Sequence, residues 1–222
     1  MPLLAIDLNT NLVARLHLYD TVSHALKLMS ENHISHLPVV DEDKYLGLIT
    51  EDDLIDVEDK NITIEQLQDD LINVSVLEGD HFLQAVNLAN QYQIPVIPIV
   101  DKEHNYIGAI SSQTLLTNLG SFAGAQEPGG IIVLEMERNK FAMSEISRIV
   151  ENNDCLILHL NTVTSPQTGL LLVTLRINKR ELAIIVASFE RYDYDVVYYL
   201  GEEKFENEIH SNYLHLMNYL DI

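Results

Sequence analysis

The sequence predicts a mixed α/β (α+β) protein made of two modules. The first is a pair of strand–helix–strand–strand–helix repeats related by a pseudo-twofold axis. The second is a ferredoxin-like βαββαβ layer followed by a C-terminal helix. Three observations carry this expectation. Residues 20–41 lie over residues 80–101 at a constant offset of 60, identical at seven of the 22 positions. The stretch SFAGAQEPGG at 121–130 is a Gly- and Ala-rich break with one proline. Behind it, apolar periods of 2 and 3.6 alternate in the order βαββαβ.

The identities in the repeat are Asp20/Asp80, Ala25/Ala85, Leu28/Leu88, Ile34/Ile94, Pro38/Pro98, Val40/Val100 and Asp41/Asp101. Within each copy, Asp20 and Asp80 stand where an N-cap is expected, because a short carboxylate accepts from the free amides of a helix start. Val22, Ala25, Leu26 and Met29 then recur at helical spacing, with Phe82, Ala85, Val86 and Ala89 in the same phase. An apolar strand follows at 37–40 and 97–100, then an acidic turn at 41–44 and 101–104. The next strand covers 45–49 and 106–110, and a further helix begins near Thr50 and near Ser111. One inserted residue separates the copies here, so that Gly47-Leu-Ile-Thr50 matches Gly108-Ala-Ile-Ser111 and Leu54 matches Leu115.

One such unit is too small to bury both faces of its sheet, so the two copies are expected to pack sheet against sheet as one module over residues 1–120. Repeat one is placed at about 1–58 and repeat two at about 59–120. Residues 55–76 connect them, and Ile62, Leu67 and Leu71 imply that the connector packs down.

Residues 121–130 are read as a linker, and 131–222 as the second domain. Its strands are expected at 131–135, 155–160, 170–177 and 196–200. Met143, Ile146, Ile149 and Val150 mark one helix; Leu182, Ile185, Val186 and Phe189 mark the other. Ile209, Tyr213, Leu216, Met217 and Leu220 form an apolar stripe on the expected C-terminal helix.

Composition narrows the function classes. Apolar residues make up 47% of the 222, which is enough for a core. The net charge is −21: residues 1–128 hold 20 acids against 5 bases, and residues 129–222 hold 14 against 8. A surface this acidic repels phosphate backbones and anionic membranes, so no nucleic-acid or membrane partner is expected. No apolar run approaches the ~18 residues of a membrane span, and the N-terminal stretch lacks the basic start of a signal peptide. A cytoplasmic location is therefore expected. The single cysteine, Cys155, has no disulfide partner and reads as a small buried hydrophobe. His33 and His36 straddle a helix end and a strand, a poor geometry for shared metal ligation. No metal site and no nucleophile–base set is read from the sequence, so the chain is expected not to be an enzyme.

The strings HLPVVD and GLITEDDL, with their second-copy partners IPIVD and GAISSQTL, resemble the CBS domain in its tandem (Bateman) form, over about half the chain. The resemblance implies nucleotide clefts between the repeats and a Gly-h-h-Thr/Ser-x-x-Asp signature. In it, the hydroxyl and adjacent helix amides hold phosphate and the Asp receives the ribose hydroxyls. A helix start suits an anion, and a carboxylate accepts well from two vicinal hydroxyls. Copy one keeps the signature as Gly47, Thr50 and Asp53, with His36, Leu37 and Pro38 lining the cleft. Copy two keeps Gly108 and Ser111 but has Thr114 in place of the Asp. A second, weaker site is therefore expected from Ser111, Thr114, Ile97 and Pro98. The bland reading of the same residues is that Thr50 only caps its helix and Asp53 only complements its dipole. No cofactor is required; AMP, ATP or S-adenosylmethionine is the implied regulatory ligand. Glu51 and Asp52 beside the site favour a ligand with little negative charge over ATP.

The βαββαβ order behind a CBS pair resembles an ACT domain, and the combination is similar to acetoin-utilisation-type CBS–ACT proteins. The resemblance rests on pattern and domain order. ACT domains that bind amino acids have a Pro-Gly-type turn before the first helix, and residues 137–143 hold no glycine, which counts against amino-acid binding. The leading reading is a regulatory sensor. A homodimeric scaffold docking an unknown protein partner is the first alternative, and amino-acid sensing by the second domain is the next.

Overall fold

A computed structural model of the chain describes residues 3–10 and 13–201. They divide into two compact units, Met1–Leu119 and Gly120–Ile222. In the first unit, copy one runs β1 (Leu16–His17), α1 (Val22–Asn32), β2 (His36–Asp41), β3 (Lys44–Thr50) and α2 (Glu51–Ile55). Copy two runs β4 (Val76–Leu77), α3 (Phe82–Tyr92), β5 (Val96–Val100), β6 (Tyr106–Ser111) and α4 (Ser112–Phe122). The sheets are β1-β2-β3 and β4-β5-β6, each with a parallel first pair and an antiparallel second pair. Even the irregularities repeat: a bulge falls between Val39 and Val40 and between Ile99 and Val100. The helix α4 reaches Phe122 and the next strand begins at Gly130, so both enter the stretch read as linker.

The helix starts differ from expectation by one residue. Thr21 caps α1, its side chain accepting from His24 N, and His81 caps α3. Asp20 and Asp80 instead accept from His17 N at 2.7 Å and Leu77 N at 3.0 Å. Each carboxylate thus closes the tight turn between the first strand and the helix, where an amide three residues back lies nearer than any helix amide. Both helices end on a left-handed residue, His33 at φ 54° and Gln93 at φ 56°.

The copies exchange their leading segments. Residues 5–8 form a 3₁₀ turn whose Ala5 and Leu8 are buried with Phe82, Ala85, Ile97, Ile99 and Ile110 of copy two. The turn is fastened there by Ala5 N to Asp80 O (2.8 Å) and Phe82 N to Leu3 O (2.9 Å). Reciprocally, the 3₁₀ segment Ile64–Asp70 of the connector packs on copy one. Ile64 is fully buried among Leu16, Val22, Ala25, Leu37 and Leu54, and Leu67 and Leu71 lie against that cluster. Val22 N donates to Ile62 O and Ile64 N to Asp20 O. In space, the repeat boundary at residue 58 therefore gives way to a crossed arrangement. The two hairpin turns also bond reciprocally, Tyr45 N to His104 O (3.1 Å) and Tyr106 N to Asp43 O (2.7 Å), and Tyr45 and Tyr106 stack with centroids 6.3 Å apart.

The second unit runs β7 (Gly130–Met136), α5 (Met143–Glu151), β8 (Ile157–Thr164), β9 (Leu171–Ile177), α6 (Ala183–Arg191) and β10 (Asp195–Leu200). Its sheet order is β10-β7-β9-β8, antiparallel throughout, which is the ferredoxin-like arrangement. Strict alternation along β7 and β9 sends Ile132, Leu134, Met136, Leu171, Val173, Leu175 and Ile177 to one face. There they meet Ile146, Ile149 and Val150 of α5 and Ile185, Val186 and Phe189 of α6. The second strand of this unit, β8, starts two residues later than its apolar run implies. Cys155 is buried in this core with its thiol on Asn153 O, and Leu156 is 62% exposed before the ladder begins. Burial raises the thiol above its ordinary pKa. The apolar stripe from Ile209 to Leu220 and the expected C-terminal helix lie outside the described residues. Among the described residues, no helix is long and apolar enough to cross a membrane.

Candidate functional site

The candidate site sits where β3 gives way to α2. Thr50 lies opposite His36 in the ladder, so β2 delivers the imidazole beside the helix start. Thr50 Oγ1 accepts from Asp53 N at 3.1 Å. The hydroxyl donates to Asp53 Oδ2 at 2.6 Å, and Thr50 N reaches the same oxygen at 3.3 Å. This is a closed capping box on a helix of five residues. Both bonds to the Asp53 carboxylate use Oδ2, and Oδ1 has no hydrogen-bond partner among the described residues. Asp53 is half-buried, so that second oxygen reaches solvent.

Three of the expected residues thus come together: His36, Thr50 and Asp53. Ser35, which lies outside the motif strings, supports them twice. Its carbonyl takes Glu51 N at 2.8 Å and its hydroxyl lies 2.9 Å from His36 Nδ1. The helix amides expected to hold a phosphate are consequently committed, Glu51 N to Ser35 and Asp53 N to Thr50. A site so arranged offers a carboxylate, a hydroxyl and an imidazole rather than a nest of free amides. Burial is the main influence on His36 and lowers its pKa, with Asp53 and then Asp52 acting in the opposite direction.

The other expected residues divide by strand alternation. Leu37 and Ile97 are fully buried in the cores beneath the helices of their own copies, so they do not line a cleft between the copies. Pro38 and Pro98, one position on, point to the opposite face and pair with Leu48 and Ala109. Gly47 is also buried, and a Cβ there would fall 2.7 Å from Leu71 Cβ and 3.2 Å from Ile72 O. Ile72 and Leu48 exchange two backbone bonds of 2.9 Å, so the connector itself fills the space at Gly47. Gly108 meets Asn9 in the same way, with Thr10 N donating to Ala109 O. The signal was present in the sequence: a glycine inside a strand marks a close backbone approach.

In copy two, Ser111 Oγ and Thr114 Oγ1 are 2.9 Å apart, and Thr114 N donates to Ser111 Oγ at 3.1 Å. The cap geometry survives without the charge. Ser112 N takes Pro95 O, the counterpart of the Glu51–Ser35 bond. Among the described residues, no group of three or more His, Cys, Asp or Glu side chains is placed to hold a metal.

Residues 7–60 match the family model of the CBS domain. The chain is 36% identical over 98 residues to the inosine-5′-monophosphate dehydrogenase of Methanocaldococcus jannaschii, covering 44% of this chain and 20% of that enzyme. It is 30% identical over 107 residues to the homoserine O-acetyltransferase of Methanosarcina acetivorans, covering 46% of this chain and 19% of that enzyme. The chain spans about one fifth of the length of these two relatives. Among solved structures, it is similar in fold to a CBS domain pair/ACT domain protein of Thermotoga maritima, with a TM-score of 0.51 and 24% identity. That likeness covers 54% of this chain and 98% of that one. Residues 7–60 are thus similar to one CBS domain, and just over half of the chain shares its fold with that CBS domain pair/ACT domain protein.

Proposed function

We propose that the chain is a non-catalytic, cytoplasmic regulatory protein whose CBS pair senses an adenosine-type ligand, with Thr50, Asp53 and His36 of copy one forming the competent site. The observation that carries this reading is the half-used carboxylate of Asp53. Oδ2 is spent on the cap, while Oδ1 stands free beside a hydroxyl and an imidazole, an acceptor suited to ribose hydroxyls. The acids Glu51 and Asp52 and the committed helix amides favour AMP or an S-adenosylmethionine-like compound over ATP. Ser111 and Thr114 form a weaker second site lacking the charged acceptor. The second unit is an ACT-like domain of the acetoin-utilisation type, and the protein acts as a homodimer on a protein partner.

The test is a thermal-unfolding panel with AMP, ATP with and without Mg²⁺, S-adenosylmethionine and free amino acids. A ligand at a hundred times its dissociation constant adds about 2.7 kcal/mol of stability, which raises the midpoint by roughly 5–10 °C for a chain of this size. Asp53→Ala is expected to abolish the shift. An undiminished shift in that variant removes Asp53 from the site.

A second reading, a dimerisation or docking scaffold with no small ligand, is favoured by the closed capping box. Thr50 and Asp53 satisfy each other with nothing bound. It is adopted if no compound in the panel moves the midpoint, and a monomer in solution counts against it.

A further inference from the structure

The helices of the two copies differ sharply in charge. In copy one, α1 carries Lys27 and Glu31, and α2 carries Glu51, Asp52 and Asp53. The repeat sets Asn87, Gln91, Ser112, Gln113 and Thr114 at those positions in copy two. None of the 11 residues of α3 or the 11 of α4 is Asp, Glu, Lys or Arg, in a chain with 34 acids and 13 bases. A helix facing water ordinarily turns charged residues to that side. Here the side is apolar and neutral: Leu116 is 64% exposed, Tyr92 46% and Leu83 39%.

The two helices also form a groove of about 290 Å³, lined among others by Val86, Ala89, Asn90, Gln113, Leu116 and Leu119. An exposed apolar patch stripped of charge has the make-up of a macromolecular contact. Its chemistry selects the partner. Residues 1–119 hold 19 acids against 5 bases, so a second copy is repelled by most of this unit. On α3 and α4 two copies meet with no like charges facing each other. A contact about a two-fold axis sets one patch against itself. The polar side chains of α3 and α4 are all amides and hydroxyls, which both donate and accept, so each can pair with its own equivalent. A carboxylate or an ammonium cannot, and a charged partner would find nothing here to pair with.

We propose that α3 and α4 of copy two pack against the same two helices of a second copy of this chain, with Leu116 buried in the contact and the charged helices of copy one outside it. The inference rests on the reading of the protein as a homodimer and assigns the contact to one copy of the repeat.

The experiment is sedimentation velocity of the full chain across a dilution series, on the wild type, Leu116→Glu and Ile55→Glu. Ile55 is the repeat counterpart of Leu116 and is 56% exposed, so both substitutions put a carboxylate at an open position. The expected result is a dimeric wild type whose dissociation constant rises roughly tenfold or more in Leu116→Glu, where two unpaired carboxylates enter an apolar contact, and stays unchanged in Ile55→Glu. A dimer that Leu116→Glu leaves intact overturns the inference, keeps the homodimer reading and gives the face to a different protein. A dimer that Ile55→Glu weakens equally also overturns it, because copy one then shares the contact. A wild type that is monomeric at every concentration overturns both the inference and the homodimer reading. Should Leu116→Glu lose its thermal transition, Gln113→Glu takes its place.

Discussion

His36 illustrates how one side chain ties the candidate site to stability. Its folded pKa lies below the ordinary value because burial disfavours the imidazolium. The unfolded chain therefore takes up the proton first as pH falls. Stability from a neutral His36 is fully present above pH ~6.5 and is lost as pH drops toward the folded value. Midpoints measured from pH 7.5 to 5 should fall less steeply in His36→Asn than in the wild type, and parallel curves would show that His36 titrates alike in both states. Gly47 gives a second test at this scale. Adding a methyl must displace Leu71 and Ile72, so Gly47→Ala should cost about 1–3 kcal/mol in a denaturant midpoint. A methyl added at Gly79 would meet nothing within 4 Å, and Gly79→Ala should stay within about 0.5 kcal/mol of the wild type. The residue types at the site were legible in the motif, since Thr50, Asp53 and His36 do converge. Their hydrogen bonds were not, because the same Thr and Asp that suit a nucleotide also suit each other. Nor was the inward turn of Leu37 and Ile97, which needs the register as well as the apolar run.

At the scale of the element, periodicity and the repeat located the helices and the longer strands of the described chain but gave no position for the two-residue strands β1 and β4, and the misses have local causes. An aspartate before a helix serves equally as a cap or as a turn closure, and the geometry of a two-residue strand decided for the turn. The apolar pair Cys155-Leu156 reads as strand, yet one enters the core and the other solvent before the ladder starts. The crossed leading segments were the least legible feature. Hydrophobic spacing says that Ile62, Leu67 and Leu71 are covered, but not by which copy. Ile64→Ala measures this arrangement. Its side chain is fully buried against copy one, so truncation should cost about 2–5 kcal/mol, whereas a connector lying outside the core would tolerate it almost freely.

For the whole molecule, the charge distribution sets the dependence on salt. Residues 1–119 hold 19 acids against 5 bases, for −14, and residues 120–222 hold 15 against 8, for −7. Screening relieves self-repulsion over a Debye length of about 8–10 Å near physiological ionic strength, so unfolding midpoints should rise as NaCl is raised from low concentration. The increase should be larger for the first unit, followed by the stacked Tyr45 and Tyr106 of its two hairpins, than for the second, followed by Tyr194. Equal responses would mean that ion pairing, not net charge, governs both.

The exchange of leading segments also bears on the order in which the protein is made. Residues 3–8 leave the ribosome well before the surfaces that bury Ala5 and Leu8, which belong to residues up to Leu115. At ribosomal speeds of about 5–20 residues per second, roughly 5–20 s pass before that surface exists. Copy one waits only for Ile64 and is complete early. Residues 3–8 are thus a latch that closes only after copy two is made, and a nascent chain stalled between the two copies would hold Ala5 and Leu8 exposed for chaperones to find.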